Sequence, residues 1–359
     1  MRFWGLRLRG CMSRRLAVLF VWLVIAVSLA PNRGAAQLVV GAGASTQFFP
    51  FVAADAAHDT MIQLVNGSTQ RIFVRCTYTP GDSGGVQAAI NFDLVLTRRQ
   101  PTHWIASTGR VSDPSDMPCD RETPTCDGAG IDPGRIPPLP EGFTGDLLCV
   151  QIDRSGAPMS GNALRGIATL VDRASGDVAT YAAIGLAGNS FNDGDNTLCL
   201  GGTELSISCP RGAEYAACPQ TWLLAGRAEG AAPGATVPAP GARTRLVIAT
   251  CSRRAGTGGA TAQIEVINEL EQRFTASAPV QRWAEIALAD NPIFGRDVLG
   301  TDFVQIRVRA AQASGSGIVV VALSDRATAD GASAGGAIAA VPVGMGARAE
   351  RDRIVFAGE

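Results

Sequence analysis

Two short stretches carry the residue types of covalent hydrolysis. Gly81, Asp82, Ser83, Gly84 and Gly85 set a serine in a glycine-rich turn, and Ala56, Ala57 and His58 set an imidazole upstream of it. Catalysis would need Ser83 as nucleophile, His58 as its base, and a carboxylate holding the imidazole in the correct tautomer. The spacing argues against it. The acids between them, Asp59 and Asp82, are immediate neighbours of the residues they would have to orient. Gly, Asp and Ser also favour a tight turn between strands, and that is the role the sequence supports for this segment.

Other polar groups pose separate questions. Asn192, Asp193, Gly194, Asp195 and Asn196 form an oxygen-rich stretch of the kind a hard cation such as calcium needs, with Asp193 and Asp195 as candidate ligands. Counted from Asp193 as the first position of an EF-hand loop, Glu204 takes the twelfth, but Leu198 stands where that loop requires glycine. Asp113, Asp116, Asp120 and Asp127 raise the same question with less order. His58 and His103 are too scattered for a metal centre. Trp104, Trp222 and Trp283 lie in apolar strand patterns, which makes core packing their default role and a sugar platform the alternative. Asn66, Gly67 and Ser68 match a glycosylation sequon at an expected turn. Apart from possible calcium, no cofactor is implied.

The cysteines take their meaning from the leader. Arg14 and Arg15 precede an apolar run, Leu16 to Ala30, and a small-residue stretch, Gly34 to Ala36, so residues 1–36 read as a cleaved export signal. The apolar run is short for a bilayer span, so no permanent membrane anchor is expected. Of the nine cysteines, Cys11 falls within this leader. The remainder, Cys76, Cys119, Cys126, Cys149, Cys199, Cys209, Cys218 and Cys251, are even in number and suit a disulfide framework in an oxidising compartment, periplasmic or extracellular. Zinc competes, but no pair has C-x-x-C spacing. Spacing suggests Cys76 with Cys149, Cys119 with Cys126, Cys199 with Cys209, and Cys218 with Cys251. The formal net charge of -1 gives no reason to expect nucleic acid as a partner. All 31 basic residues are arginine, so lysine chemistry is excluded.

Short β-rich runs bounded by Gly, Pro, Asn and Asp recur throughout, and helical periodicity is scarce. The class is all-β: two Ig-like β-sandwich domains in tandem after the signal, over 37–205 and 206–359. Strands are expected at Met61–Val65, Arg71–Tyr78, Ala88–Leu96, His103–Ser107, Leu147–Ile152, Gly166–Val171 and Ala179–Leu186. They resume at Thr221–Ala225, Thr244–Thr250, Gln263–Asn268, Arg282–Leu288, Phe303–Val308 and Gly317–Leu323. A proline-rich insertion over 111–145 holds Pro137, Pro138 and Pro140 and excludes regular structure. One internal echo suggests duplication. Ile62 to Asn66 followed by Gln70, Arg71 and Ile72 matches Ile264 to Asn268 followed by Gln272, Arg273 and Phe274 at constant offset, each reading as a strand, an Asn turn and a second strand.

Two resemblances bear on these readings. The Ser83 pentapeptide is similar to the nucleophile motif of trypsin-like serine proteases, a family whose histidine and serine sit on different barrels; the short interval from His58 departs from that pattern. Thr60 to Asn66, Val74 with Cys76 and Tyr78, Phe92 to Thr97, and Arg99 to Pro101 ahead of Trp104 resemble a set of uncharacterised secreted bacterial proteins. Cys149 to Asn162, Tyr181 to Gly185, Asp193 to Leu200, Glu214 to Pro219 and Asn268 to Phe274 continue that likeness over most of the chain. It implies compartment and fold, and no site residue. The functional expectation is an exported, non-enzymatic binding or structural protein, acting in adhesion, surface assembly, or protein or glycan recognition through loops, chiefly the insertion. The alternative is an exported hydrolase, glycan-directed, using loop carboxylates that converge in space.

Overall fold

Alternation of apolar and polar residues decides where each strand lies, and the clearest case is Ile72 to Pro80. Ile72, Val74, Cys76 and Tyr78 are buried while Phe73, Arg75, Thr77 and Thr79 are half-exposed, the pattern of a strand with one face in a core. The computed structural model describes residues 38–40, 43–81, 89–111, 131–188, 195–201, 209, 212–228, 242–252, 259–311, 316–327, 333–339, 341–342 and 352–355. The expected leader, 1–36, lies outside them. Ala36–Glu359 cluster as one compact unit. Strand pairing among the described residues is antiparallel throughout, apart from one isolated parallel bridge between Leu200 and Tyr215. No helix among them is long and apolar enough to cross a membrane.

The first half contributes β1 (Leu38–Val40), β2 (Thr46–Ala54), β3 (His58–Asn66), β4 (Ile72–Pro80), β5 (Ile90–Leu96), β6 (Pro101–Ile105), β7 (Phe143–Ile152), β8 (Leu164–Asp172), β9 (Val178–Ala182) and β10 (Ile184–Leu186) to one 10-stranded sheet. It folds on itself. One part runs β5-β4-β7-β2-β10-β1, the other β6-β3-β8-β9, and they meet where Ala54 pairs with Asp59. Phe49 packs directly over Gly166, where an added Cβ would lie 2.4 Å from the ring.

Next comes β11 (Thr197–Leu200). The second half then forms a five-stranded sheet and a four-stranded sheet from β12 (Thr221–Arg227), β13 (Ala242–Thr250), β14 (Ala260–Asn268), β15 (Arg273–Val280), β16 (Trp283–Ala287), β17 (Phe303–Ala310), β18 (Ile318–Ala327), β19 (Ser333–Ala339) and β20 (Val341–Pro342). Their orders are β15-β14-β17-β12-β20 and β16-β13-β18-β19. The last strand, β21 (Asp352–Val355), returns to pair with β11. Between β16 and β17 the chain makes short helical turns, the last of them Arg296–Leu299, closed by Gly300 at φ 69°.

Beyond β1, β11 and β21, which no expected strand covers, three elements depart from the sequence expectation. The strand expected over Ala179–Leu186 is two strands, because at Ala183 the chain leaves β8 and crosses to β1 and β2. The insertion ends earlier than Gly145, since Phe143 already opens β7 and pairs with Ala54. The third is β2, which shows no alternation because it is buried at every position. Its register shifts between Phe49 and Val52, so Pro50 and Phe51 leave the β7 ladder. Side chains satisfy the freed backbone groups. The Phe51 N–H donates to Tyr181 Oη at 3.3 Å, and the same hydroxyl donates to the Phe51 carbonyl. Trp283 Nε1 from the second half donates to the Pro50 carbonyl at 2.9 Å, with its ring stacked 6.4 Å from Phe51. Thr60 Oγ1 accepts from Ala53 N and donates to Ala53 O, both at 2.9 Å.

Candidate functional site

The serine site does not assemble among the described residues. Asp82 and Ser83 lie outside them, while His58 begins β3 with its Nδ1 3.4 Å from Asp55 Oδ1 and its main-chain N–H donating to the same oxygen at 2.6 Å. That carboxylate also accepts from Ala57 N at 2.7 Å, so it closes the β2–β3 turn. Neighbouring Asp59 points to the other face of the strand. It accepts Ser107 Oγ at 2.5 Å and Arg173 Nη2 at 2.8 Å, and no imidazole stands between serine and acid. His103 lies on the outer face of β6 opposite Gln63.

Asp193 lies outside the described residues; Asp195 accepts from Thr197 N at 2.7 Å and thereby opens β11. No group of three or more metal-ligating side chains occurs among the described residues. Cys76–Cys149, Cys199–Cys209 and Cys218–Cys251 are disulfides, and Cys119 and Cys126 lie outside the description. The three disulfides fit an oxidising, exported environment. Trp104 and Trp222 are buried and donate to Tyr78 Oη and the Ile318 carbonyl, each at 2.6 Å, so with Trp283 all three indoles serve cores rather than sugar platforms. Asn66 is buried, and its Nδ2 donates to the carbonyls of Gln70, Leu96 and Thr97, which takes the sequon nitrogen out of reach of glycosylation.

What the fold builds instead is a clamp at the foot of the proline-rich insertion. Arg110 and Ile136 exchange both backbone hydrogen bonds at 2.9 Å. Arg110 Nη1 donates to Thr102 Oγ1 at 2.8 Å, and its Nη2 lies 3.8 Å from Asp132. Gln100 holds the returning limb, donating Nε2 to the Ile131 carbonyl at 2.5 Å while Oε1 accepts from Thr97 N. The Pro133 carbonyl accepts from Val95 N at 2.9 Å, covering part of the open edge of β5. Ile131 is buried against Val95, with Phe73 packed on the pair, whereas Val111, where the chain departs, is 84% exposed.

Beside that foot, on the outer face of β4 and β5, lies a cleft of about 170 Å³. Phe73 and Val95 form one side; the turn after β7, Asp153 to Gly156, forms the other. Arg75 and Asp93 cross its floor in a two-pronged ion pair, Nε to Oδ1 and Nη2 to Oδ2, both 2.9 Å. Asp153 Oδ1 accepts from Ser155 N at 2.8 Å, Ser155 Oγ at 2.6 Å and Ala157 N at 3.0 Å. These bonds, that of the Ser155 hydroxyl foremost, hold its carboxyl below the usual range. Gly156 has φ 89°, and an added Cβ would sit 3.4 Å from Arg75 Nη2.

No family model, no curated protein and no solved structure matches the chain. The reading of function therefore rests on the site alone. Phe73, Arg75 and Asp93 are not singled out in the sequence, because they form neither a nucleophile and base set nor a metal-ligand spacing. The signal was present: alternation in the two expected strands puts Phe73 and Arg75 on one outer face and Asp93 and Val95 on its neighbour.

Proposed function

We propose that the chain is an exported, disulfide-bonded, non-enzymatic binding protein of two Ig-like sandwiches in tandem, processed behind Ala36 and akin to uncharacterised secreted bacterial proteins. It recognises a protein or glycan through the loops of its first half, chiefly the insertion. One observation carries this reading: both limbs of the insertion are fastened to the folded body by Arg110 and Gln100, while Val111 leads outward. An insertion whose two ends are fixed on rigid sheet is suited to presenting contacts, because the scaffold meets the entropy of holding those ends together.

The test compares the oxidised chain with a variant in which 112–130 is replaced by a short Gly-Ser linker. Retention on envelope glycans and on purified surface proteins is the readout. Loss of retention with an unchanged melting midpoint supports the reading. Equal retention by both proteins, or turnover of an offered substrate, overturns it.

A further inference from the structure

We infer that the cleft between β4, β5 and the turn after β7 is a subsite for a neutral polyhydroxylated ring, one sugar unit of a glycan. This rests on the binding reading above and names the chemistry of one ligand unit. The charges set the ligand's sign. The lining holds two arginines, Arg75 and Arg154, and two aspartates, Asp93 and Asp153, so the formal charges cancel and favour neither an anion nor a cation. Their geometry agrees. Asp93 is engaged with both oxygens by Arg75, and Asp153 Oδ1 already accepts three hydrogen bonds, so neither carboxylate is arranged as a hard-cation ligand.

What remains is a surface dense in both donors and acceptors around one half-buried aromatic ring, Phe73. A hexose ring offers the complement: hydroxyls that donate and accept in turn at its rim, and C–H groups on its faces for an aromatic wall. The cleft volume suits one such ring and is too small for a larger organic ligand to be enclosed. Preorganisation favours the same conclusion. The Arg75–Asp93 pair is carried on two adjacent strands in two-pronged geometry, so its groups already stand side by side before a ligand arrives.

The experiment is ligand-observed NMR on the oxidised chain with methyl glucoside, methyl N-acetylglucosaminide and methyl galactoside, and with inorganic phosphate and calcium as charged probes. A single ring should bind with a Kd on the order of millimolar. The matched variant is Arg75→Leu with Asp93→Leu, which removes both charges together and leaves neither unpaired. Binding of at least one glycoside that weakens at least tenfold in this variant, with the melting midpoint retained, supports the subsite. Phosphate or calcium binding in place of the glycosides, glycoside binding unaffected by the double substitution, or no glycoside binding at about ten times the expected Kd overturns it. The two readings fail separately. Partner retention that depends on 112–130 in a protein with a silent cleft keeps the binding reading and sinks the subsite. Release of free sugar in the same tube keeps the subsite and sinks the non-enzymatic reading.

Discussion

The two Asn turns use the same local chemistry and lead to different places. Asn66 Nδ2 donates to the Thr97 carbonyl at 2.8 Å, and at the matching position Asn268 Nδ2 donates to the Leu299 carbonyl at 2.8 Å. Asn66 Oδ1 accepts from Ser68 N, as Asn268 Oδ1 does from Leu270 N. Beyond the turn they diverge. β15 stays beside β14 as a hairpin, whereas β4 leaves β3 and joins β5 and β7, with Cys76 directly opposite Cys149. Burial explains the choice. β4 has an apolar face to place in a core, while β15 is half-exposed or exposed at every residue except Val280. The turn fixes the end of one strand; the face of the next strand decides which sheet receives it. The halves therefore share the turn and not the topology, which does not support duplication of a whole sandwich.

A tryptophan follows each turn, and replacing these residues should give the largest contrast. Trp104 closes the first-half core, donating to Tyr78 and meeting Phe92 edge-on with centroids 5.7 Å apart. Trp283 reaches into the other half at Pro50 and Phe51. Each change to Ala should cost about 3 to 5 kcal/mol. The expected difference is in cooperativity. Calorimetry of Trp104→Ala should show one transition displaced to lower temperature, and Trp283→Ala should show two, because its loss removes a donor shared between the halves. A single transition in both variants would mean that other contacts suffice to couple them.

The turns themselves come next. Asn66→Ala removes the side chain's bonds to the carbonyls of Gln70, Leu96 and Thr97 and those it accepts from Ser68 N and Oγ, and should cost about 3 kcal/mol in urea denaturation. Asn268→Ala removes bonds to Gln272 Oε1 and the Leu299 carbonyl; the first acceptor is a side chain that can turn to water, so about 2 kcal/mol is expected. The reverse order would show that the hairpin depends on its turn more than the crossover does.

This contrast also marks what could be read from the sequence. Both Asn turns and the alternating strands follow from local residue types and spacing, and the three described disulfides are the pairings that spacing suggested, although Cys76–Cys149 spans 73 residues and is set by β4 meeting β7. β2 does not. Thr46 to Ala54 is a central strand covered on both faces and broken by Pro50, so it offers no alternation and imitates a buried segment of any kind. The parting of β4 from β3 was equally hidden, because strand partners are chosen by surfaces distant in sequence. The insertion was visible as a break in pattern, whereas its clamp was not: Arg110, Gln100 and Ile131 gain their roles only when the limb returning through Ile131 to Ile136 is laid against Val95, Gln100 and Arg110. The cleft lay in plain alternation but without the residue types that announce chemistry.

Cross-strand ion pairs on the outer faces should give a smaller effect. Arg75 with Asp93 in the first half and Arg245 with Glu285 in the second are both close, at 2.9 and 2.5 Å, and both partly exposed. Double-mutant cycles should return about 0.5 kcal/mol for each, falling as salt is raised. A coupling well above that for Arg75–Asp93 alone would indicate that the cleft floor is held more rigidly than an ordinary surface pair.

The smallest effect separates charged turns from neutral ones. The Asn66 and Asn268 turns carry no titrating key, so their contribution should not change between neutral and acid pH. The turn after β7 is keyed by Asp153, whose carboxyl is held below its usual range, first by the Ser155 hydroxyl and then by the main-chain N–H groups that follow. A folded-state value below the unfolded one means that the turn's contribution is fully present above the unfolded pKa of about 3.9 and is lost as pH falls through the folded value. Asp153 is almost fully solvent-exposed, so screening should keep this contribution to a few tenths of a kcal/mol. Asp153→Asn should therefore be slightly less stable than the parent at neutral pH, and the gap should close below about pH 4. Carboxyl-detected NMR titration of Asp153 alongside the two melting curves checks both halves of the claim. A gap that persists at low pH would assign the turn's strength to its geometry, as in the Asn turns, rather than to its charge.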